Sequence, residues 1–406
     1  MTLVAMLAAV AWAVSGDAHA QLKTYRTPDW TVHSDLDEPT ARQACVRLSV
    51  QATDFSQRFD LKSRGPGDAF LFAKTADYEN AGGRSNTGGV FLPDRQVLIV
   101  NSPELIERRT KDKNHYWMSV RHEATHLLLG TALAPQIPSP CINEGLAEYY
   151  ADALWTGDGL VPGVLTPDRC RAAEAMLAGR PSVKLSKREL RVGKMADWPG
   201  LLAMGNDYYQ CNDMDQWTRN QQSWSLVHFL MQAHDGKYRR VVQAAIEGMS
   251  RGRPAGAVLA DTFGGNLQRL GDEYAAWWKT ADAGSSRDLR DEATVATLMS
   301  FLARGCQRGM TFHSAADFFR AARDGKLSPP PEAGDPLWLP KGLLNSAISE
   351  ADQLKQWSLA GPTESPRLML TRPDGKVFEG SFGVSPGNRP VVKVAVRQRL
   401  LPRVSR

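Results

Sequence analysis

A short apolar run, Trp30 to His33, predicts a strand, and apolar residues then recur at helical spacing from Glu38 to Phe59. Ala69 to Phe72 reads as a second strand. Val90-Phe91-Leu92 and Gln96 to Val100, separated by Pro93-Asp94-Arg95, read as a β-hairpin by their turn chemistry and flanking β-formers. A strongly apolar helix is expected over 116–130, ending at Gly130, followed by a proline-rich loop, Pro135 to Pro140. Another helix follows from about Asn143 to Leu154. Residues 155–282 look mainly helical, with a pair at 221–234 and 237–250 hinged at Asp235-Gly236, and the helical pattern continues to 325. Ser328 to Pro336 breaks it. Beyond the break, Arg367 to Thr371, Lys376 to Phe382 and Val391 to Val396 alternate like strands, with turns at Pro373-Asp374-Gly375 and Pro386-Gly387-Asn388.

This order predicts an α+β protein. A sheet-bearing part spans 21–142 and a helical part 143–282. A helical extension with a proline-rich linker follows at 283–336, then a small β region at 365–406. The 406 residues are 42% apolar and 23% charged, which excludes a disordered or fibrous chain. The net charge of +5 is scattered and its densest run, Glu107 to Lys113, also carries acids, so no nucleic-acid partner is expected. Gly82 to Gly89 is glycine-rich but lacks the GKS/T of a phosphate loop.

Residues Leu3 to Val14 are apolar and are followed by Ala18-His19-Ala20, a signal-peptidase pattern, so residues 1–20 are expected to direct export, periplasmic or secreted. No later stretch has the length to span a membrane. For an oxidising compartment, Cys45, Cys141, Cys170, Cys211 and Cys306 allow up to two disulfides, in pairings the sequence does not choose.

One constellation carries chemistry. His122-Glu123-Ala124-Thr125-His126 is H-E-x-x-H inside the apolar helix. An i, i+4 pair of imidazoles on one helix face can reach one metal ion, and Glu123 beside them can reach a metal-bound water. After His126 and sixteen intervening residues comes Asn143-Glu144-Gly145-Leu146-Ala147-Glu148-Tyr149-Tyr150. A helix returning alongside the first can bring Glu144 to the third ligand position. Two His and one Glu leave a fourth position open, the mark of a catalytic zinc site. Glu148, one turn on, can accept a hydrogen bond from the outer nitrogen of a ligating His. His33, His115, His234 and His313 lack ligand spacing and read as surface or packing residues.

H-E-x-x-H followed by N-E-G-x-A resembles the gluzincin metallopeptidases, and closest are exported bacterial proteins that read H-E-A-T-H…N-E-G-L-A-E-Y. The resemblance covers about residues 28–282, including the Gln222-Ser223-Trp224-Ser225-Leu226-Val227-His228-Phe229-Leu230 stretch. It implies a zincin-like scaffold with Zn2+ held by His122, His126 and Glu144, Glu123 as general base, and Glu148 supporting a ligand. Two features depart from the pattern. The segment between His126 and Glu144 is slightly short, and a tyrosine often found three residues before the Ser of Q-S-W is here Asn220. Tyr208, Tyr209, Asn220 itself and His228 stand as candidates for stabilising the transition state. The implied activity is hydrolysis of a peptide or protein substrate. The alternatives are a silent zinc-binding scaffold, motivated by Asn220, and a hydrolase of a non-peptide amide such as a cell-wall component.

Overall fold

The computed structural model describes residues 22–61, 65–84, 86–110, 114–186, 189–328, 338–354, 356–385 and 388–398. The expected export segment and most of the proline-rich break lie outside them.

The N-terminal part opens with β1 (Lys23–Arg26), β2 (Trp30–Ser34) and α1 (Glu38–Phe59). It continues through β3 (Gly67–Leu71), α2 (Thr75–Asn80), β4 (Gly89–Leu92), β5 (Val97–Val100) and α3 (Pro103–Thr110) to α4 (Asn114–Leu133). The five strands form one mixed sheet in the order β1-β2-β3-β5-β4, parallel along β2, β3 and β5 and closed by an antiparallel strand at each edge. Helix α1 begins and ends where its chemistry dictates. Asp37 accepts from the Thr40 N–H at 2.9 Å, Pro39 sits in the first turn, and Asp60 stops the helix in a left-handed conformation.

Helix α5 (Pro140–Ala151) returns alongside α4, starting earlier than the sequence indicates because Pro140 is well suited to a first turn. It also stops earlier, because Leu154 belongs to a small hairpin, β6 (Leu154–Trp155) and β7 (Leu160–Val161). After α6 (Pro167–Leu177) comes a second hairpin, β8 (Ser182–Lys184) and β9 (Glu189–Arg191), then α7 (Trp198–Ala203). The long α8 (Asp213–Gly236) breaks at Ala233 to Asp235 before α9 (Arg239–Ser250), close to the expected hinge. Helices α10 (Ala255–Thr262), α11 (Leu267–Trp278), α12 (Arg287–Gln307), α13 (Ala315–Arg323) and α14 (Lys341–Leu354) complete the helical part.

The C-terminal strands β10 (Trp357–Ala360), β11 (Arg367–Thr371), β12 (Lys376–Val384) and β13 (Pro390–Gln398) form an antiparallel sheet in that order. The sheet is seated on α12, and β10 is a fourth strand beyond the three expected. Among the described residues, β13 pairs only with β12 and leaves its other edge open.

Helix α4 is buried along much of its length, polar residues included, because it serves two cores. Val120, Ala124 and Leu127 pack with Trp30, Leu48, Leu71, Leu98 and Val100 under the sheet. Leu129 and Leu133 join Leu146, Tyr149, Trp224 and Phe229 in the helical core. Gly130, expected to end this helix, lies inside it, and a side chain there would sit 3.3 Å from the Phe91 ring.

The five cysteines are free thiols, so neither of the two disulfides that the sequence allows is present. Cys45 lies under the N-terminal sheet and Cys141 is enclosed in the helical core, so these two belong to different packing units. Burial pushes the Cys45 thiol up to about 11 and the Cys141 thiol up to about 12, which keeps both protonated and unreactive.

Candidate metal centre

Two contacts register α4 against its neighbours. The Gln51 amide of α1 donates to the Arg121 carbonyl at 2.8 Å and to Thr125 Oγ1 at 2.9 Å. The buried Arg121 guanidinium donates to the last carbonyls of α5, Tyr150 O at 3.0 Å and Ala151 O at 2.5 Å, where helix carbonyls lack intrahelical partners. Helix α5 is fixed on its other side by Gly145. A Cβ there would lie 2.6 Å from Ser223 O and from Val227 Cγ2, so only glycine lets α5 and α8 approach this closely. Gly145→Ala is expected to lower the unfolding free energy by about 1–3 kcal/mol, the usual cost of overpacking, and chemical denaturation measures it.

Within this frame the Nε2 atoms of His122 and His126 face each other at 3.0 Å. Glu144 meets both, Oε2 at 3.6 Å from His122 Nε2 and Oε1 at 3.7 Å from His126 Nε2. All three ligand atoms lie within 4.8 Å of one another. Each outer nitrogen also faces an oxygen. His126 Nδ1 donates to Asn143 Oδ1 at 2.9 Å, which leaves the Nε2 lone pair free for a metal. His122 Nδ1 faces Glu148 Oε1 at 3.8 Å. Two imidazoles and a carboxylate, with the His126 ring oriented by Asn143, are a donor set that fits a divalent ion of the zinc type.

Charge favours a cation here. Burial disfavours protonation of His122, yet Glu123, Glu148 and Glu144 outweigh it and raise its pKa. Burial raises the Glu123 carboxyl, opposed by the two imidazoles and by a backbone hydrogen bond with Phe91. Glu148 is drawn below the ordinary carboxylate range against its burial, chiefly by Arg169.

Glu123 lies against the edge strand β4. A Cβ on Gly89 would fall 2.7 Å from Glu123 Cγ, and one on Gly88 would fall 2.7 Å from Ser119 Oγ. The glycines at the end of the glycine-rich loop therefore let β4 approach α4, a role that composition alone does not reveal.

The four candidate stabilisers separate. The Tyr209 hydroxyl donates to Glu144 Oε1 at 3.1 Å, and the residue is 47% exposed. Asn220 Nδ2 donates to Glu144 Oε2 at 3.4 Å. Tyr208 is buried one layer back, its hydroxyl 3.1 Å from Asn220 Oδ1 and 3.0 Å from Ser223 Oγ. His228 is away from the centre, bonded through Nε2 to the Gly163 carbonyl at 3.0 Å and packed among Tyr149, Trp224, Trp277 and Trp278. Burial lowers its pKa to about 4, so it stays neutral.

No protein-family model and no curated protein matches this chain. The functional reading therefore rests on the residues. Two of the residues that build the centre carry no ligand spacing in the sequence. Asn143 is visible there only as a neighbour of Glu144, and Arg169 has no local signal at all.

Proposed function

We propose that this protein is an exported zinc-dependent metallopeptidase of zincin-like fold. The observation that carries the reading is the convergence of His122 Nε2, His126 Nε2 and the Glu144 carboxylate, with the buried Glu123 beside them. When bound by these three residues, zinc supplies polarisation of a carbonyl and acidification of a water. Glu123 accepts the proton of the attacking water and returns it to the departing amine nitrogen. Its raised pKa, caused by burial, suits a group that must both take and give a proton.

Strand β4 offers the substrate a rail. The Asn101 N–H donates to the Gly88 carbonyl at 2.9 Å, so in this antiparallel pair Val90 bonds inward to β5. Gly89 and Phe91 therefore turn their N–H and C=O groups to the outer edge, where the Phe91 N–H is already engaged by the Glu123 carboxylate. An extended peptide adding there as a strand would pass the metal centre with its backbone held.

Tyr209, exposed and already in contact with a ligand, is placed to donate to a carbonyl oxygen as it gains negative charge. It comes from the loop before α8 and stands in for the tyrosine missing at position 220. Tyr209→Phe is expected to cut kcat by about 100-fold with zinc content unchanged, on the scale of one lost oxyanion donor. Steady-state kinetics paired with metal analysis checks this.

The reading is tested by digesting a peptide library with purified protein, with protein stripped by a chelator, and with stripped protein given zinc. Cleavage that disappears and returns with the metal supports it. Cleavage that survives stripping, or zinc-loaded protein that cuts no peptide, overturns it.

A further inference from the structure

Residue 169 sits in the first turn of α6, after the Thr166 cap and Pro167, and its side chain runs inward rather than to solvent. The side chain is largely buried and engages three acceptors, two from α5 and its C-cap and one from α8. Nη2 donates to Glu148 Oε2 at 2.5 Å, Nε to Asp152 Oδ2 at 2.8 Å, and Nη1 to Gln221 Oε1 at 2.6 Å. Its flat face lies 4.7 Å from the Trp224 ring centroid. Glu148 lies on α5 and Asp152 caps its C-terminal end one turn on, while Gln221 and Trp224 belong to α8.

This arrangement divides the two oxygens of Glu148. Oε2 is taken by Arg169, and Oε1 is turned to His122 Nδ1 at 3.8 Å. We propose that Arg169 is a positioning residue for the metal centre: by fixing the Glu148 carboxylate it fixes the ring of His122, and through Gln221 it ties that ring to the helix that carries Asn220. The proposal rests on the metal-binding part of the reading above. A buried ion pair is by itself weak evidence for stability, since well-packed apolar groups often serve as well. What singles out Arg169 is direction: its bonds to Asp152 and Gln221 hold the guanidinium in one plane, and from there Nη2 reaches a single oxygen of Glu148, leaving the other turned to His122. A lysine offers a compact point charge and cannot reproduce that fork.

The test measures zinc affinity by competition with a chromophoric chelator, corrected for the folded fraction from circular dichroism. It compares wild type, Arg169→Met, Arg169→Lys, Glu148→Gln and the Arg169→Met/Glu148→Gln double variant. Arg169→Met is expected to weaken zinc binding about 10- to 100-fold, the cost typical of residues that orient a ligand. Arg169→Lys should also weaken it, and the double variant should bind no worse than the weaker single, because both act through one contact. Wild-type affinity in Arg169→Met, even with reduced thermal stability, overturns the proposal. So does a double variant whose loss is the product of the two singles. Should Arg169→Met not fold, Arg169→Lys decides alone, and wild-type affinity there overturns the proposal. Wild-type protein that binds no zinc overturns the metal reading and this one together. Zinc binding without peptide hydrolysis overturns only the peptidase.

Discussion

Glu123→Gln is expected to keep one zinc ion per chain and to lower peptide hydrolysis by about 100- to 10,000-fold, the range for a lost general base. The two halves of this result have separate structural reasons. The three ligand atoms come from His122, His126 and Glu144, while Glu123 lies along β4 with its Cγ against Gly89. Glutamine keeps that shape, so the packing of α4 against the strand survives. It cannot accept a proton from water at neutral pH, so the reaction loses its base. Metal analysis and single-turnover kinetics on the same preparation measure both. A Gln variant with near-normal hydrolysis would reject Glu123 as the base. A Gln variant without zinc would make it a ligand instead.

The second large effect separates the carboxylates of α5. Glu144→Ala should leave the protein essentially without zinc at neutral pH, whereas Glu148→Ala should cost about 10- to 100-fold in affinity. Glu144 faces both inner nitrogens, at 3.6 Å and 3.7 Å. Glu148 reaches only the outer nitrogen of His122, and its other oxygen is already held by Arg169. Four residues along a helix are about 6 Å of rise, too far for both to serve one ion directly. Titration of the two variants with a zinc chelator orders them, and the reverse order would exchange their roles.

The parts of the centre that a sequence can show are those set by local geometry. H-E-x-x-H is legible because i, i+4 is a property of any helix, and α1 is legible to the residue because Asp37, Pro39 and Asp60 mark its ends. β1 (Lys23–Arg26) and β10 (Trp357–Ala360) are not among the strands expected from the sequence, but the other strands of the two larger sheets follow from runs of β-formers. The hairpins at 154–161 and 182–191 do not, because two- and three-residue strands are too short to carry a period. Arg169 escapes for a different reason: its partners lie 17 to 52 positions away in the chain and meet only when α5, α6 and α8 pack. Tyr209 is one of four candidates in the sequence; only folding sets its hydroxyl on Glu144 and carries His228 into an aromatic enclosure.

The open edge of β13 bears on how the protein behaves when crowded. Nine residues of extended backbone with Val391 and Val396 exposed form a surface onto which a second copy could add its own β13. The same strand exposes Lys393 and Arg397. Antiparallel pairing of two such strands would set cations from both copies close together on one face, and like charges across strands repel. Protection against self-pairing at that edge would thus rest on two surface cations that take no part in the candidate metal centre.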